Sequence, residues 1–327
     1  MEMNMNITVI GCGRWGSLIT WYLASRKNQN VTLYGIVGTP QMDRFLKERR
    51  NDLLVLPDSV RLSTNLCDCI LPETDAVIIS VGAQNLRGLM EELTAHDLRG
   101  KTVILCMKGL EAETGKRLTE VVREYVDPSV KVAVWVGPGH VQEFYVGIPN
   151  CMVIDSDDDA TKNRLVEEFS GDIIRFYLGQ DLIGSEIGAA SKNVIGIAAG
   201  MLDGLGLSSL KGALMSRGTR EIGRLIAAMG GSEMSAYGLC HLGDYEATVF
   251  SKFSHNRAFG EAFVKGETFE NLAEGYATTR ALVMLSEQTG LDLPICNAVY
   301  RILYEGSDPR VELDKLFKRE IKREFNE

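Results

Sequence analysis

ITVIGCGRWGSLITWYLASR, residues 7–26, runs from a short β-branched apolar stretch through closely spaced glycines into a helical pattern. ITVIG (7–11) reads as a buried strand, the segment from Trp15 to about Arg26 as a helix, and VTLYG (31–35) as a second strand, which makes a βαβ unit. Between the first strand and the helix lies GCGRWG (11–16), a G-x-G-x-x-G turn. In such a turn Gly11 permits the tight reversal, Gly13 lets backbone approach a pyrophosphate, and Gly16 lets helix and strand pack closely. The helix N-terminus adds amides and a positive dipole end, so the unit is suited to a dinucleotide. A carboxylate or arginine at the end of the second strand would select NAD or NADP, but LYGIVGTPQMDR puts Ile36 there, with no charge until Asp43 and Arg44.

Further strands are expected at RLST (61–64), DAVIISV (75–81), TVILCM (102–107), KVAVWVG (131–137), CMVID (151–155) and DIIRFYL (172–178), with helical patterns between most of them. Near-continuous apolar strands bounded by turns indicate a parallel sheet covered on both faces. After Gly179 glycine-punctuated helical segments dominate. The fold class expected is an α/β Rossmann domain with a mostly parallel sheet over residues 1–178, followed by an all-α domain over 179–327 that binds substrate. The terminal KLFKREIKREF reads as a solvated helix face.

Composition excludes other classes. The chain has 327 residues, 45% of them hydrophobic, and carries 33 glycines against 8 prolines, which describes a globular protein rich in tight turns. A net charge of -9 disfavours a nucleic-acid or membrane surface. Seven cysteines without a C-x-x-C pair indicate neither a disulfide framework nor a zinc site, and no metal is expected. A strand pattern at the very start and no apolar run of spanning length lead to the expectation of a cytoplasmic protein.

Lys192 is the single charge between Glu186 and Asp203, in IGAASKNVIGIAAGML. Lysines are rarely buried unpaired, and a desolvated ammonium loses basicity toward the range where it can give and take a proton. A stem lying on apolar surface with its head in water is the competing reading. Lys108 follows the strand TVILCM at the carboxyl edge of the sheet, where ligands of open α/β folds collect. The strand KVAVWVG ends in GPG (137–139), and glycines there admit close backbone approach.

VIGCGRWG, KGLEAETG, the GP turn followed by Glu143, AASKNVIGIAAGMLDGLGL, ALMSRGTREI, HLGDYEATVFSKFSHNRAFG and AEGYATTRAL together make nearly the whole chain resemble the bacterial NAD(P)-dependent glycerol-3-phosphate dehydrogenases. The resemblance implies hydride transfer between a nicotinamide, NADP or NAD with a lean to NADP, and C2 of dihydroxyacetone phosphate or sn-glycerol 3-phosphate. It implies a homodimer and a role in glycerophospholipid synthesis. It assigns proton transfer to Lys192, with Asn193 beside it and Asp244 and Thr248 orienting and tuning it. Lys108 takes the position that contacts substrate and cofactor. Gly137, Gly139, Ser254, His255 and Asn256 fall on substrate-contact positions, and Arg14, Trp15, Val141, His255 and Glu274 on cofactor-contact positions.

Three departures concern the substrate pocket. His255 stands where the resemblance leads one to expect an arginine for the substrate phosphate, Gly139 where it leads to serine or threonine, and SSLK (208–211) makes a shorter loop after DGLGL. The expectation is that His255, with Lys211 or Arg257, binds the phosphate, so that affinity weakens as pH rises through the histidine range. A related dehydrogenase of another hydroxy acid or polyol phosphate, and a non-catalytic dinucleotide sensor, are the alternatives; the retained lysines argue against the sensor.

Overall fold

A computed structural model describes residues 4–321, 323 and 324. Strands β1 (Asn6–Ile10), β2 (Asn30–Tyr34), β3 (Arg61–Ser63), β4 (Ala76–Ile79), β5 (Thr102–Leu105), β6 (Lys131–Val136), β7 (Asn150–Ser156) and β8 (Ile174–Leu178) form one sheet in the order β3-β2-β1-β4-β5-β6-β7-β8. The first six run parallel, while β7 pairs antiparallel to β6 and β8 parallel to β7. The sheet is thus mostly parallel, as expected, with its last two strands reversed. Apolar runs mark a doubly covered strand whatever its direction, and the connection from β6 holds only the five-residue helix α5 (Val141–Tyr145), which does not cross the sheet.

Helices α1 (Arg14–Ser25), α2 (Pro40–Glu48), α3 (Leu86–Leu93), α4 (Leu118–Arg123), α5 and α6 (Asp159–Phe169) connect the strands. Two apolar clusters cover the sheet. One joins α1, α5 and α6 residues such as Tyr22, Phe144 and Phe169 to Trp135; the other joins α3 and α4 residues such as Met90 and Val121 to Val103 and Val134. β1 lies between β2 and β4, so the chain reverses its direction of winding there. The loops after β1, β4, β5 and β6 all emerge at the same carboxyl edge, around the crevice where such sheets bind ligands.

From Leu182 onward the chain is helical: α7 (Leu182–Gly204), α8 (Lys211–Ala228), α9 (His255–Lys265), α10 (Glu274–Thr289), α11 (Pro294–Glu305) and α12 (Pro309–Phe317). The Asp181 side chain caps α7 by accepting from the Gly184 amide at 3.0 Å. α7 is buried along almost its whole length, which explains why its sequence is mostly apolar or small, with Glu186, Lys192, Asn193 and Asp203 as the exceptions. A Cβ on Gly200 would lie 1.9 Å from the Arg257 carbonyl oxygen, so glycine is what lets α9 approach α7 this closely. α12 ends at Phe317, so the expected helix over KLFKREIKREF covers only its start; residues 322 and 325 of that stretch lie outside the described residues. Among the described residues no helix is long and apolar enough to cross a membrane, and no cluster of His, Cys, Asp or Glu could hold a metal ion. The seven cysteines are free.

Candidate active site

The glycine turn is built as its sequence requires. Gly11 has φ +111°, and a Cβ there would lie 2.2 Å from the Ser80 carbonyl oxygen; a Cβ on Gly16 would lie 1.9 Å from the Gly11 carbonyl oxygen. At Gly13 a Cβ would meet nothing within 4 Å. Gly11 and Gly16 are demanded by the protein itself, whereas Gly13 faces open space. No side chain caps α1 at Gly13 and no acid lies in its first turn, so its positive end is uncompensated. The indole Nε1 of Trp15 is buried without a partner. These features fit a bound pyrophosphate: unfilled space, uncapped amides and an unused donor. Ile36 is 64% exposed beyond β2, and Arg44 is engaged with Glu48 and Asp52.

Opposite this turn, α7 presents Lys192, only 8% exposed. Its ammonium donates to Thr248 Oγ1 at 2.7 Å and lies 3.1 Å from Asp244 Oδ2. Asp244, 1% exposed, accepts from Lys108 Nζ on the same oxygen at 2.7 Å. Lys108 also donates to the Gly137 carbonyl. Two lysines from different lobes thus share one carboxylate oxygen. Burial lowers the Lys192 pKa to about 8, against the attraction of Asp244 and with the repulsion of Lys108. The reading in which Lys192 reaches water along an apolar surface is excluded by this burial.

The remaining predicted residues divide into those at the lysine centre and those that support it. Asn193 donates to the Lys108 carbonyl at 2.7 Å, which ties the loop after β5 to α7. Ser254 Oγ caps α9 through the Arg257 amide at 3.3 Å, and Asn256 Oδ1 accepts from the Gly275 amide at 2.9 Å near the start of α10. Glu274 accepts from the Ala83 amide at 3.2 Å and so joins α10 to the loop after β4; burial raises its pKa. The Val141 side chain is buried in the core, which leaves its backbone for any ligand contact. Gly137 and Gly139 have φ +133° and +139°, and a Cβ on Gly139 would lie 2.2 Å from the Phe144 ring. Phe144, packed 6.0 Å from the Trp15 ring centroid, occupies the room a side chain at 139 needs.

His255 departs from expectation. Its Nε2 lies 2.8 Å from Arg14 Nη1, across the cleft. Lys211 and Arg257 do not join it: both bind Asp203 Oδ2, at 2.5 and 2.7 Å, and Arg257 also binds Glu261. These two cations are spent on a part-buried carboxylate, and the expected histidine, lysine and arginine phosphate site is not formed.

Two histidines that sequence reasoning left unassigned belong to the surroundings. His140, at the N-terminus of α5, has a buried Nε2 with no partner, and its pKa is lowered by burial against the influence of Glu143 and Asp244. His241 is fully buried between the Gly188 carbonyl (2.9 Å from Nδ1) and the Tyr245 hydroxyl (2.7 Å from Nε2), and burial takes its pKa to about 4. A carbonyl only accepts, so Nδ1 carries the proton and Nε2 accepts from the tyrosine. The i,i+4 spacing of His241 and Tyr245 was the available signal.

Family models described as NAD-dependent glycerol-3-phosphate dehydrogenase N-terminus and C-terminus match residues 6–162 and 181–314. The chain is 35% identical to an NAD(P)+ glycerol-3-phosphate dehydrogenase of Chlorobium limicola, over 98% of this chain and 99% of the relative. The chain belongs to the NAD-dependent glycerol-3-phosphate dehydrogenase family. A Prosthecochloris aestuarii dehydrogenase of the same name is 36% identical over 98% of this chain and its own full length. Among solved structures, the Coxiella burnetii glycerol-3-phosphate dehydrogenase superposes with a TM-score of 0.89 at 27% identity, covering 97% of this chain and 99% of that one. D-mandelate dehydrogenase with NADH, at 12% identity and a TM-score of 0.63, shares the fold alone. As in the rest of the glycerol-3-phosphate dehydrogenase family, the cofactor is NAD or NADP.

Proposed function

We propose that the chain reduces dihydroxyacetone phosphate reversibly to sn-glycerol 3-phosphate with Lys192 as the proton donor, and that this serves glycerophospholipid synthesis in a cytoplasmic homodimer. Two lobes meeting near residue 179 are proposed to close on the reactants, residues 1–178 holding the dinucleotide and 179–327 the substrate. The single observation that carries the reading is the ammonium of Lys192, desolvated, bonded to Thr248 and held beside the carboxylate it shares with Lys108.

The dinucleotide, when bound, supplies the hydride for C2. The turn residues Gly11, Gly13 and Gly16 and the amides of Arg14 and Trp15 are suited to its pyrophosphate, with Val141, His255 and Glu274 at the cleft margin. As negative charge develops on the C2 oxygen, a lysine within hydrogen-bond reach stabilises it and transfers a proton. Lys192 at about pKa 8 is largely the acid at neutral pH, yet returns to its neutral form readily enough to serve the reverse direction. Asp244 limits the fall in basicity, and Thr248 fixes the direction of the ammonium. Lys108, tethered by Asn193, adds a second positive charge on the dinucleotide lobe's side. Gly137 and Gly139, with Ser254 and Asn256, shape the substrate side.

NADPH and NADH oxidation assayed with dihydroxyacetone phosphate and with a panel of 2-keto acids tests the proposal. Turnover confined to dihydroxyacetone phosphate supports it, and preferential turnover of a keto acid overturns it.

A further inference from the structure

The contact between Arg14 and His255 joins the first residue of α1 to the first residue of α9, two helices whose N-termini lie on opposite lobes. An arginine can only donate, so His255 Nε2 must accept, and its proton sits on Nδ1, 3.3 Å from the Leu272 carbonyl. The imidazole is therefore neutral, in keeping with a pKa lowered first by burial and then by Arg14. The permanent charge of the pair belongs to Arg14 alone.

Arg14 has no carboxylate partner among the described residues, whereas the neighbouring cations do: Lys108 and Lys192 share Asp244, and Lys211 and Arg257 share Asp203. Its guanidinium extends away from its own glycine turn toward α9, which packs on the helix carrying Lys192. The ring of the next residue, Trp15, has Lys108 Nζ 5.9 Å from its centroid. A guanidinium so placed offers a planar fork to an oxyanion lying between the lobes, while the turn's own backbone serves a pyrophosphate.

We propose that Arg14, supplied by the dinucleotide lobe, is the specificity-determining cation for the phosphate group of the substrate, with His255 as its neutral support. The proposal rests on the reading that the substrate is a phosphorylated ketone or alcohol. A phosphate entering the cleft takes over the guanidinium donors that His255 now accepts, so the pair holds the cation in place before binding without neutralising it.

Steady-state kinetics and binding test it together. Arg14→Ser is expected to raise the KM for dihydroxyacetone phosphate about ten- to a hundredfold, the loss of a charge-assisted bond, with kcat changed far less and the NADPH Kd within about threefold. Arg14→Ser combined with His255→Arg, which moves the guanidinium to the facing helix, is expected to recover most of that loss. An unchanged KM in Arg14→Ser, an NADPH Kd that rises in step with KM, or a double variant no better than the single one overturns the proposal; the second outcome makes Arg14 a pyrophosphate ligand instead. Calorimetric binding of sn-glycerol 3-phosphate against glycerol to the NAD-loaded protein needs no turnover. If the wild type binds the phosphate ester tightly and Arg14→Ser does not, Arg14 stands even where the proposed reaction is absent; if both bind it equally, Arg14 falls although the reaction is present.

Discussion

Replacing Asp244 by asparagine keeps the shape of the side chain and removes the charge that two lysines share. The carboxylate lies 2.7 Å from Lys108 Nζ and 3.1 Å from Lys192 Nζ, nearly out of reach of solvent. At an effective dielectric of about 20 the Lys192 pair alone is worth roughly 5 kcal/mol, and removing one partner of a buried pair costs about 3–5 kcal/mol in practice. At 1.36 kcal/mol per unit this lowers the affinity of Lys192 for its proton by about two to four decades. Because Lys192 starts from about 8, the first decade only brings it to neutrality. The fraction of ammonium at pH 7, and with it the rate of ketone reduction, is expected to fall by about ten- to a thousandfold. The sign is specific: reduction needs the protonated lysine, so activity of Asp244→Asn should recover as pH is lowered, by about tenfold per unit, while the wild type falls only above pH 8. The assay is dihydroxyacetone phosphate-dependent NADPH oxidation from pH 5.5 to 9. An Asp244→Asn enzyme with the wild-type pH profile, however slow, would refute the assignment of Asp244 as the group that sustains Lys192's charge.

Gly13→Ala should leave the melting temperature within about 2 °C yet weaken dinucleotide binding, since the added methyl meets only open space; Gly16→Ala, whose methyl would overlap the Gly11 carbonyl, should destabilise the fold by about 1–3 kcal/mol, as thermal melts with and without NADPH would show. Gly139→Ser should cost a similar amount, from a positive φ and overlap with the Phe144 ring, and Phe144→Leu in the same chain should relieve the overlap but not the backbone strain, so a double variant melting at the wild-type temperature would contradict this reading. Because burial holds His241 neutral down to about pH 4, the unfolded chain takes up a proton between pH 6.5 and 4 that the fold does not; about 3 kcal/mol of stability should be lost across that window, and urea denaturation of His241→Gln should show a shallower acid limb.

The glycine turn and Lys192 were legible in the sequence because each is a local signal: three closely spaced glycines within one βαβ unit, two of them fixed by backbone contacts, and a single charge between Glu186 and Asp203 in a long apolar run. The direction of β7 was not, because its apolar run reads the same either way. The sharing of Asp244 by Lys108 and Lys192 brings together residues 136 and 52 positions away, one from each lobe, and no spacing rule reaches that far. Lys211 and Arg257 looked free to bind phosphate because their partner, Asp203, lies at the far end of α7 and meets them only in the packed helices. Chemistry alone makes His255 a cation candidate, and its neutral tautomer follows only from a contact with Arg14, 241 positions away. Phe144 explains Gly139 in the same manner: the ring fills the space, and the two residues read as a pair only once folded.

The central claim is that Lys192 gives the proton to the substrate oxygen, and single-turnover hydride transfer in Lys192→Met tests it most directly. With NADPH prebound and saturating dihydroxyacetone phosphate, the predicted rate is about 10² to 10⁴ below wild type, with the NADPH Kd unchanged within about twofold. A hydride-transfer rate within tenfold of wild type would contradict the account.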